Sequence, residues 1–145
     1  MNVPVAADES VRRAEDPLAV ARAGAADLII VSGRPLAGGV RALEVSDAAG
    51  LKAVGSAALD TSIGIGLATH LAAALPSLDH ACGLGTIRLF QGDVSASPLL
   101  PINGYLRPRR GEVDVEVEEP DTDLCPRWSQ RLGLTVAALA ELERS

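Results

Sequence analysis

Apolar positions along the chain fall into short unbroken runs separated by stretches of helical period. Val3 to Ala7 is an apolar run that ends in Asp8-Glu9-Ser10. Asp16-Pro17 reads as a helix start, with Asp16 as the N-cap and Pro17 at the first helical position, where its missing N–H is no loss. The helix runs to Ala23 and stops at Gly24, a residue that tolerates the left-handed conformation of helix ends. Leu28-Ile29-Ile30-Val31 follows without polar alternation, the pattern of a strand buried on both faces. Gly38-Gly39 opens a second helix that ends near Gly50, and Lys52 to Ser56 reads as a third strand. Thr61 or Ser62 caps a third helix that runs to Leu75 and is ended by Pro76. Ala81-Cys82-Gly83 is a short fourth strand or a strand end.

The strand ends near Asp8, Ser32, Ser56 and Gly83 recur at roughly the 25-residue size of one βα unit. Parallel strands joined by right-handed helical crossovers give either an open doubly wound sheet or part of a barrel, and the period fits both. After Thr86 the pattern changes. Pro98 and Pro101 mark loop, and Arg107 to Arg110 is a basic turn. Glu112 to Glu119 alternates like an edge strand charged on one side, and Arg127 to Glu143 reads as a terminal helix.

Composition narrows the class. The 145 residues are enough for a domain with a core, and 48% of them are apolar, which excludes a disordered segment. Phe90, Tyr105 and Trp128 are the only aromatic residues, so the core is built from Ala, Val, Leu and Ile. That suits helices packed on a buried parallel sheet. The net charge is −6 and Lys52 is the single lysine. With no basic stripe and no aromatic ladder, nucleic acid is not an expected partner. No apolar run reaches the ~18–20 residues of a membrane span, so no membrane association is expected. The start MNVPVAADES lacks the basic beginning and apolar core of a signal peptide, and two cysteines in a chain of this size fit a reducing cytoplasm. Cys82 and Cys125 lack metal-type spacing and read as free thiols of a reducing compartment, Cys82 as a small core residue.

Parallel βα folds carry their functional groups at the carboxyl ends of the strands. Asp8 is either an oxygen ligand for a hard divalent cation or a helix-capping or loop carboxylate. Ser56 with Asp60, and Gly83 with Gly85 and Thr86, either receive an anion through backbone N–H groups and hydroxyls or form tight turns. Ser32-Gly33-Arg34-Pro35 occupies the remaining strand end. Gly64-Ile65-Gly66 follows no strand and lacks a third glycine, so it is a poor dinucleotide fingerprint. His70 and His80 have no ligand-spaced partner and read as structural or solvent-facing. The acidic run Glu112 to Asp123 reads as a solvated edge or loop.

Three stretches carry a resemblance to a known family: VPVAADESVRRAEDPLAVARAGAADLIIV (Val3–Val31), GSAALDTSIGIG (Gly55–Gly66) and LDHACGLGTIRLFQGDV (Leu78–Val94). In order and register they resemble the o-succinylbenzoate synthases of the enolase superfamily, from Val3 to Leu106; RWSQRLG (Arg127–Gly133) resembles that family's terminal helix more loosely. The resemblance implies an α/β fold, the C-terminal half of a modified TIM (β/α)₈ barrel, with a C-terminal extension. Residues 1–106 would form the half-barrel and 107–145 the extension with its edge strand and terminal helix. Val3–Asp8, Leu28–Ser32, Ala53–Ala57 and Ala81–Gly83 would be the fifth to eighth barrel strands.

The resemblance also implies a chemistry. These enzymes dehydrate 2-succinyl-6-hydroxy-2,4-cyclohexadiene-1-carboxylate to o-succinylbenzoate in the menaquinone pathway, with Mg²⁺ as cofactor. A base removes the proton beside the carboxylate and an acid helps hydroxide leave. Asp8 matches a metal-ligand carboxylate. Ser56 and Gly83 match positions that contact the substrate carboxylate, flanked by Gly85 and Thr86, and Asp60 matches an acidic position after the seventh strand. Ser32, 24 positions after Asp8, stands where the family has a lysine. Arg34 supplies charge nearby but stays protonated, so it is no base.

The family's lysine pair on the second strand and its metal ligands on the third and fourth have no counterpart among these residues. The isolated chain is therefore expected to be inactive, and a gene fragment or a late start codon would account for it. Half a barrel leaves strand edges and apolar surface open, so a second copy or a complementary half-barrel is the expected partner, beside a small carboxylate substrate. A non-catalytic half-barrel assembly module is the rival reading. A racemase or cycloisomerase of the same superfamily is a further one, away from which HACGLGT points.

Overall fold

The computed structural model describes residues 3–33, 36, 38–114, 124–142 and 144. Its elements in chain order are β1 (Ala6–Ala7), α1 (Asp16–Ala23), β2 (Leu28–Val31), α2 (Gly39–Ala49), β3 (Lys52–Gly55), α3 (Ser62–Ala74), a 3₁₀ turn at Thr86–Leu89, and α4 (Leu124–Leu142). They divide between two compact units, Met1–Val115 and Glu116–Ser145.

In the first unit the strands form one parallel sheet in the order β1-β2-β3. The register sets Ala7 opposite Ile29, Leu28 opposite Lys52 and Val31 opposite Gly55. An isolated parallel bridge between Ser56 and Gly83 continues the same direction, so the sheet advances without a switch point. α1 packs on α2 and α2 on α3, side by side over one face of the sheet.

Alternation along the strands assigns the faces. Ala7, Ile29, Val31, Ala53 and Gly55 share the face covered by helices. There Ile29 and Val31 are fully buried with Val20, Ala42, Val45 and Leu71. Gly55 is required on that face, because a Cβ would stand 2.9 Å from the Cβ of Ala72 on α3. Ala6, Asp8, Leu28, Ile30, Ser32, Val54 and Ser56 fall on the opposite face.

Several local expectations change. The first apolar run contributes only Ala6–Ala7 to the sheet. Its beginning is tied instead to Asp27, whose carboxylate accepts the Val5 N–H at 2.8 Å while Val5 O accepts the Asp27 N–H at 2.8 Å. Ala81–Gly83 forms a strand end with one bridge, not a strand. Asp16 is not the N-cap of α1. Glu15 holds that position, and the Asp16 carboxylate accepts the N–H groups of Arg12 at 2.8 Å and Arg13 at 2.6 Å, closing the turn that precedes the helix. Those two donors hold the Asp16 carboxyl below the usual carboxylate range. Cys82 is half-buried at the margin of the second core cluster. Glu112–Asp114 are not in a strand, and residues 115–119 of the expected edge strand lie outside the described residues.

The chain after Gly83 folds back over the start of α3. Ile87 and Leu99 join Ile65, Ala68 and Ala72 in that second cluster. Contact is close at two glycines. A Cβ on Gly66 would meet Arg109 O and Gly111 N at 3.1 Å, and one on Gly111 would run into the carbonyl of Ser62 and lie 2.8 Å from Ile63 Cα.

In the second unit, α4 has no buried residue. The Arg131 guanidinium lies 5.6 Å from the Trp128 ring centre, and Thr135 Oγ1 donates to Arg131 O at 2.9 Å. Among the described residues no helix is long and apolar enough to cross a membrane.

Gly111→Ala is expected to push the 109–111 segment off α3 and to destabilise the first unit by about 1–3 kcal/mol. Urea titration followed by circular dichroism measures this, and an unchanged midpoint would refute the close packing.

Candidate functional site

The face of the sheet away from the helices brings the strand ends together. Asp8, Ser32 and Ser56 line one small cavity of about 160 Å³, with Glu9, Arg12 and Ile30. The parallel register is the cause. Leu28 faces Lys52, so counting on by four residues places Ser32 level with Ser56, and both share parity with Asp8.

Asp8 is exposed, and its backbone carbonyl accepts the Val11 N–H at 2.8 Å to close the loop after β1. Among the described residues its carboxylate has no hydrogen-bond or ion-pair partner, whereas Asp16 takes the capping role in this loop. Asp8 is thus no helix cap and stands as an exposed loop carboxylate on the cavity wall. Its neighbour Glu9 is paired with Arg12 across the mouth of the cavity.

Ser32 and Ser56 are both half-buried. Ser32 follows β2 directly, and the neighbouring Arg34 and Pro35 lie outside the described residues. The Ser56 hydroxyl makes only a long 3.5 Å contact to Ala57 O, which leaves its hydrogen available to an anion.

Gly83 is placed beside Ser56 by the bridge, but its amide does not point at a ligand: Gly83 N donates to Gly55 O at 2.9 Å and Gly83 O accepts from Ala57 N at 3.0 Å. Its contribution is space. A Cβ there would stand 3.0 Å from Ser56 Oγ. Thr86 likewise spends its hydroxyl hydrogen inside the protein, donating to Ala58 O at 2.5 Å. That bond pins the Ser56–Asp60 loop. Gly85 is exposed and lines a different cavity, with His80 and Cys82. Ser56, Gly83 and Thr86 thus form one connected corner, and Gly85 lies beyond it. Asp60 is buried against the first turn of α3, where a Cβ on Gly64 would stand 2.8 Å from its carboxylate.

The cavity beside Gly85 is larger, about 860 Å³, and runs between α3 and the 101–108 turn. It is lined mainly by apolar groups such as Ala72, Leu78 and Leu106 and does not include the ends of β1 and β2. His70 is exposed with Nδ1 2.8 Å from Gly66 O, so it is structural, as is expected of a lone helix histidine.

Asp93 was not singled out by sequence reasoning, yet it holds the corner together. Its Oδ1 accepts the Ser62 N–H at 2.9 Å, capping α3 from 31 residues away, while Thr61 at the N-cap position makes no side-chain cap bond. Ser62 is fully buried, and its hydroxyl accepts the Leu99 N–H at 2.7 Å. Burial pushes the Asp93 carboxyl up, but hydrogen bonds from the Ser62 hydroxyl and from the Ser62, Val94 and Ser95 N–H groups outweigh it, and the net effect is a lowered pKa. One signal was present: Asp93 is the only acidic residue between His80 and Gly111.

Among the described residues no three His, Cys, Asp or Glu side chains come together as a metal site. Mg²⁺ requires near-octahedral oxygen coordination, so these residues alone do not fit it, and Asp8 offers one ligand.

The family described as "Enolase C-terminal domain-like" matches residues 1–112, and the chain belongs to it. The o-succinylbenzoate synthase of Thermobifida fusca is 46% identical over 145 residues, covering 99% of this chain and 45% of that protein. The o-succinylbenzoate synthase of Mycobacterium ulcerans is 50% identical over 110 residues, covering 76% of this chain and 33% of that protein. Among solved structures, muconate cycloisomerase from Pseudomonas fluorescens superposes with a TM-score of 0.67 at 26% identity, over 77% of this chain and 32% of that one. The fold is α/β and is that of the C-terminal half of a (β/α)₈ barrel. The chain spans between a third and a half of the length of these curated relatives.

Asp93→Asn is expected to cost about 1–2 kcal/mol at neutral pH, through loss of a charged hydrogen-bond acceptor. Because the folded carboxyl titrates below the unfolded one, its stabilisation is full above the ordinary carboxylate pKa of about 4 and is lost as pH falls through the folded value. Urea midpoints of the two proteins should therefore converge in acid; a constant gap down to the acid limit would contradict this.

Proposed function

We propose that the chain is the strand-five-to-eight part of an o-succinylbenzoate synthase-type lyase of menaquinone biosynthesis. The observation that carries this is the meeting of Asp8, Ser32 and Ser56 on one face at the carboxyl ends of parallel strands, around a single cavity. The reaction is loss of water from 2-succinyl-6-hydroxy-2,4-cyclohexadiene-1-carboxylate to give o-succinylbenzoate. The cofactor of the whole activity is Mg²⁺, to which Asp8 contributes one carboxylate.

Each residue has a task in that reading. Ser56 donates its hydroxyl hydrogen to the substrate carboxylate, Gly83 leaves room for it, and Thr86 fixes the Ala57–Ala58 loop from behind. Gly85 borders this contact from outside the corner. Ser32 stands at the place of a strand-end lysine. A neutral hydroxyl neither removes a proton at neutral pH nor stabilises the negative charge that proton removal creates beside a carboxylate. The protein works in the cytoplasm on a small carboxylate, without nucleic acid or membrane. Its macromolecular partner is a second copy or a complementary half-barrel.

A second reading, a non-catalytic half-barrel for assembly, is favoured by one specific observation. Ile102 and Tyr105 stand 74% and 78% exposed on one turn beside the larger cavity, an apolar surface that a partner would cover.

The test is complementation. The 145-residue chain alone is expected to give no Mg²⁺-dependent dehydration. Mixed or fused with the part of the Thermobifida fusca relative that it does not cover, Ser32→Lys is expected to turn over about 10²–10⁴-fold faster than the Ser32 chain. Turnover by the chain alone would refute the expected inactivity. Equal rates for Ser32 and Ser32→Lys would refute the role assigned to position 32. No activity from either assembled, folded form would favour the assembly reading.

A further inference from the structure

The loop after β1 fixes the root of one arginine on the wall of the strand-end cavity. Asp8 O accepts the Val11 N–H at 2.8 Å, and the Val11 side chain is buried. The Asp16 carboxylate takes the next two amides, Arg12 N–H at 2.8 Å and Arg13 N–H at 2.6 Å. Successive amides are thus tied down on either side of Arg12, while its side chain is exposed. Arg12 lines the cavity with Asp8, Glu9, Ser32 and Ser56, whereas Arg13 does not.

The Arg12 guanidinium carries an internal carboxylate, that of Glu9. The two side chains are 58% and 80% exposed. An ion pair as exposed as this contributes little to stability, so a competing carboxylate displaces Glu9 readily. A ligand carboxylate that meets the guanidinium from inside the cavity has the advantage. It is shielded from water on one side and matches the planar fork with two parallel hydrogen bonds. Glu9 then swings into solvent. The other charged group on the described wall is Asp8. It opposes a dianion more than a monoanion, so any preference for a dianion comes from Arg12.

In the lyase reading the product carries two carboxylates, one on the ring and one at the end of a four-carbon arm. Ser56 answers the ring carboxylate. We propose that Arg12 is the specificity residue for the arm: it exchanges Glu9 for the terminal carboxylate of the succinyl chain, and so selects dicarboxylic over monocarboxylic ligands. The ligand class rests on the lyase reading; the pinned arginine and its displaceable partner do not.

Isothermal titration calorimetry of the full 145-residue chain tests this. The ligands are o-succinylbenzoate and 2-butanoylbenzoate, which has a methyl group in place of the arm carboxylate. Circular dichroism confirms that each variant is folded. The chain is expected to bind o-succinylbenzoate about tenfold more tightly than the monoacid. Arg12→Gln should remove that difference by weakening o-succinylbenzoate alone about tenfold, and Arg12→Lys should keep part of it. Glu9→Gln should tighten o-succinylbenzoate about threefold, and should do nothing in the Arg12→Gln background. A merely structural arginine would shift both acids together. Equal affinities for the two acids would overturn the proposal, as would binding of neither. So would a preference that survives Arg12→Gln, whether or not Arg34→Gln removes it. Ser56→Ala separates this proposal from the lyase reading. It should weaken both acids. If it weakens neither while the Arg12 effect persists, the ring-carboxylate role of Ser56 fails and the arm site stands.

Discussion

The parallel hydrogen-bonded register between β2 and β3, with Leu28 opposite Lys52 and Val31 opposite Gly55, is the constraint on which the rest of the first unit depends. Side chains alternate across a strand, so this register decides two things at once. It sends Ile29 and Val31 into the layer of helices, where they are fully buried. It also sends Ser32 and Ser56 to the other face, level with each other above the strand ends. A slip of one residue would bury the serines against α2 and α3 and turn Ile29 and Val31 toward the cavity. Site and core are two faces of one pairing, which is why the cavity needs no scaffold of its own.

The βα rhythm was legible because its signals are local. Gly24 and Gly50 end their helices in the left-handed conformation, as their positions after apolar-periodic segments imply. The run Leu28–Val31 lacks polar alternation because a parallel strand has no wet face. What local signals missed depends on partners distant in sequence. Asp16 has the appearance of an N-cap, but the nearest unsatisfied amides are those of Arg12 and Arg13, and its carboxylate turns to them. Val3–Ala7 has the composition of a strand, yet Asp27 competes for the backbone of Val5. Asp93 stands out only as the lone acidic residue of its stretch, which does not say that it closes the start of a helix 31 residues earlier.

The same distinction separates the parts of the site. Asp8, Ser32 and Ser56 were legible as strand ends because chain period alone places them. The division of labour around Ser56 was not. Gly83 and Thr86 looked like anion donors by residue type, but the amide of one is engaged by Gly55 and the hydroxyl of the other by Ala58. A hydrogen-bond donor serves a ligand only if the fold has not already used it, and that count requires three dimensions. What those two residues give the corner is an absent side chain and a fixed loop.

The strand-end cavity combines the Asp8 carboxylate, without a partner among the described residues, with Ser32, which in the proposed reading stands in place of a lysine. Proton removal beside a carboxylate concentrates negative charge, and a site must answer it with positive charge close by. Among the described residues the cation on the cavity wall is Arg12, and it is already paired with Glu9. The described walls therefore present the Asp8 carboxylate and the hydroxyls of Ser32 and Ser56, with no free cation among the described residues. In the proposed reading it is position 32, and not the geometry of the sheet, that sets this chain apart from the chemistry its resemblance implies.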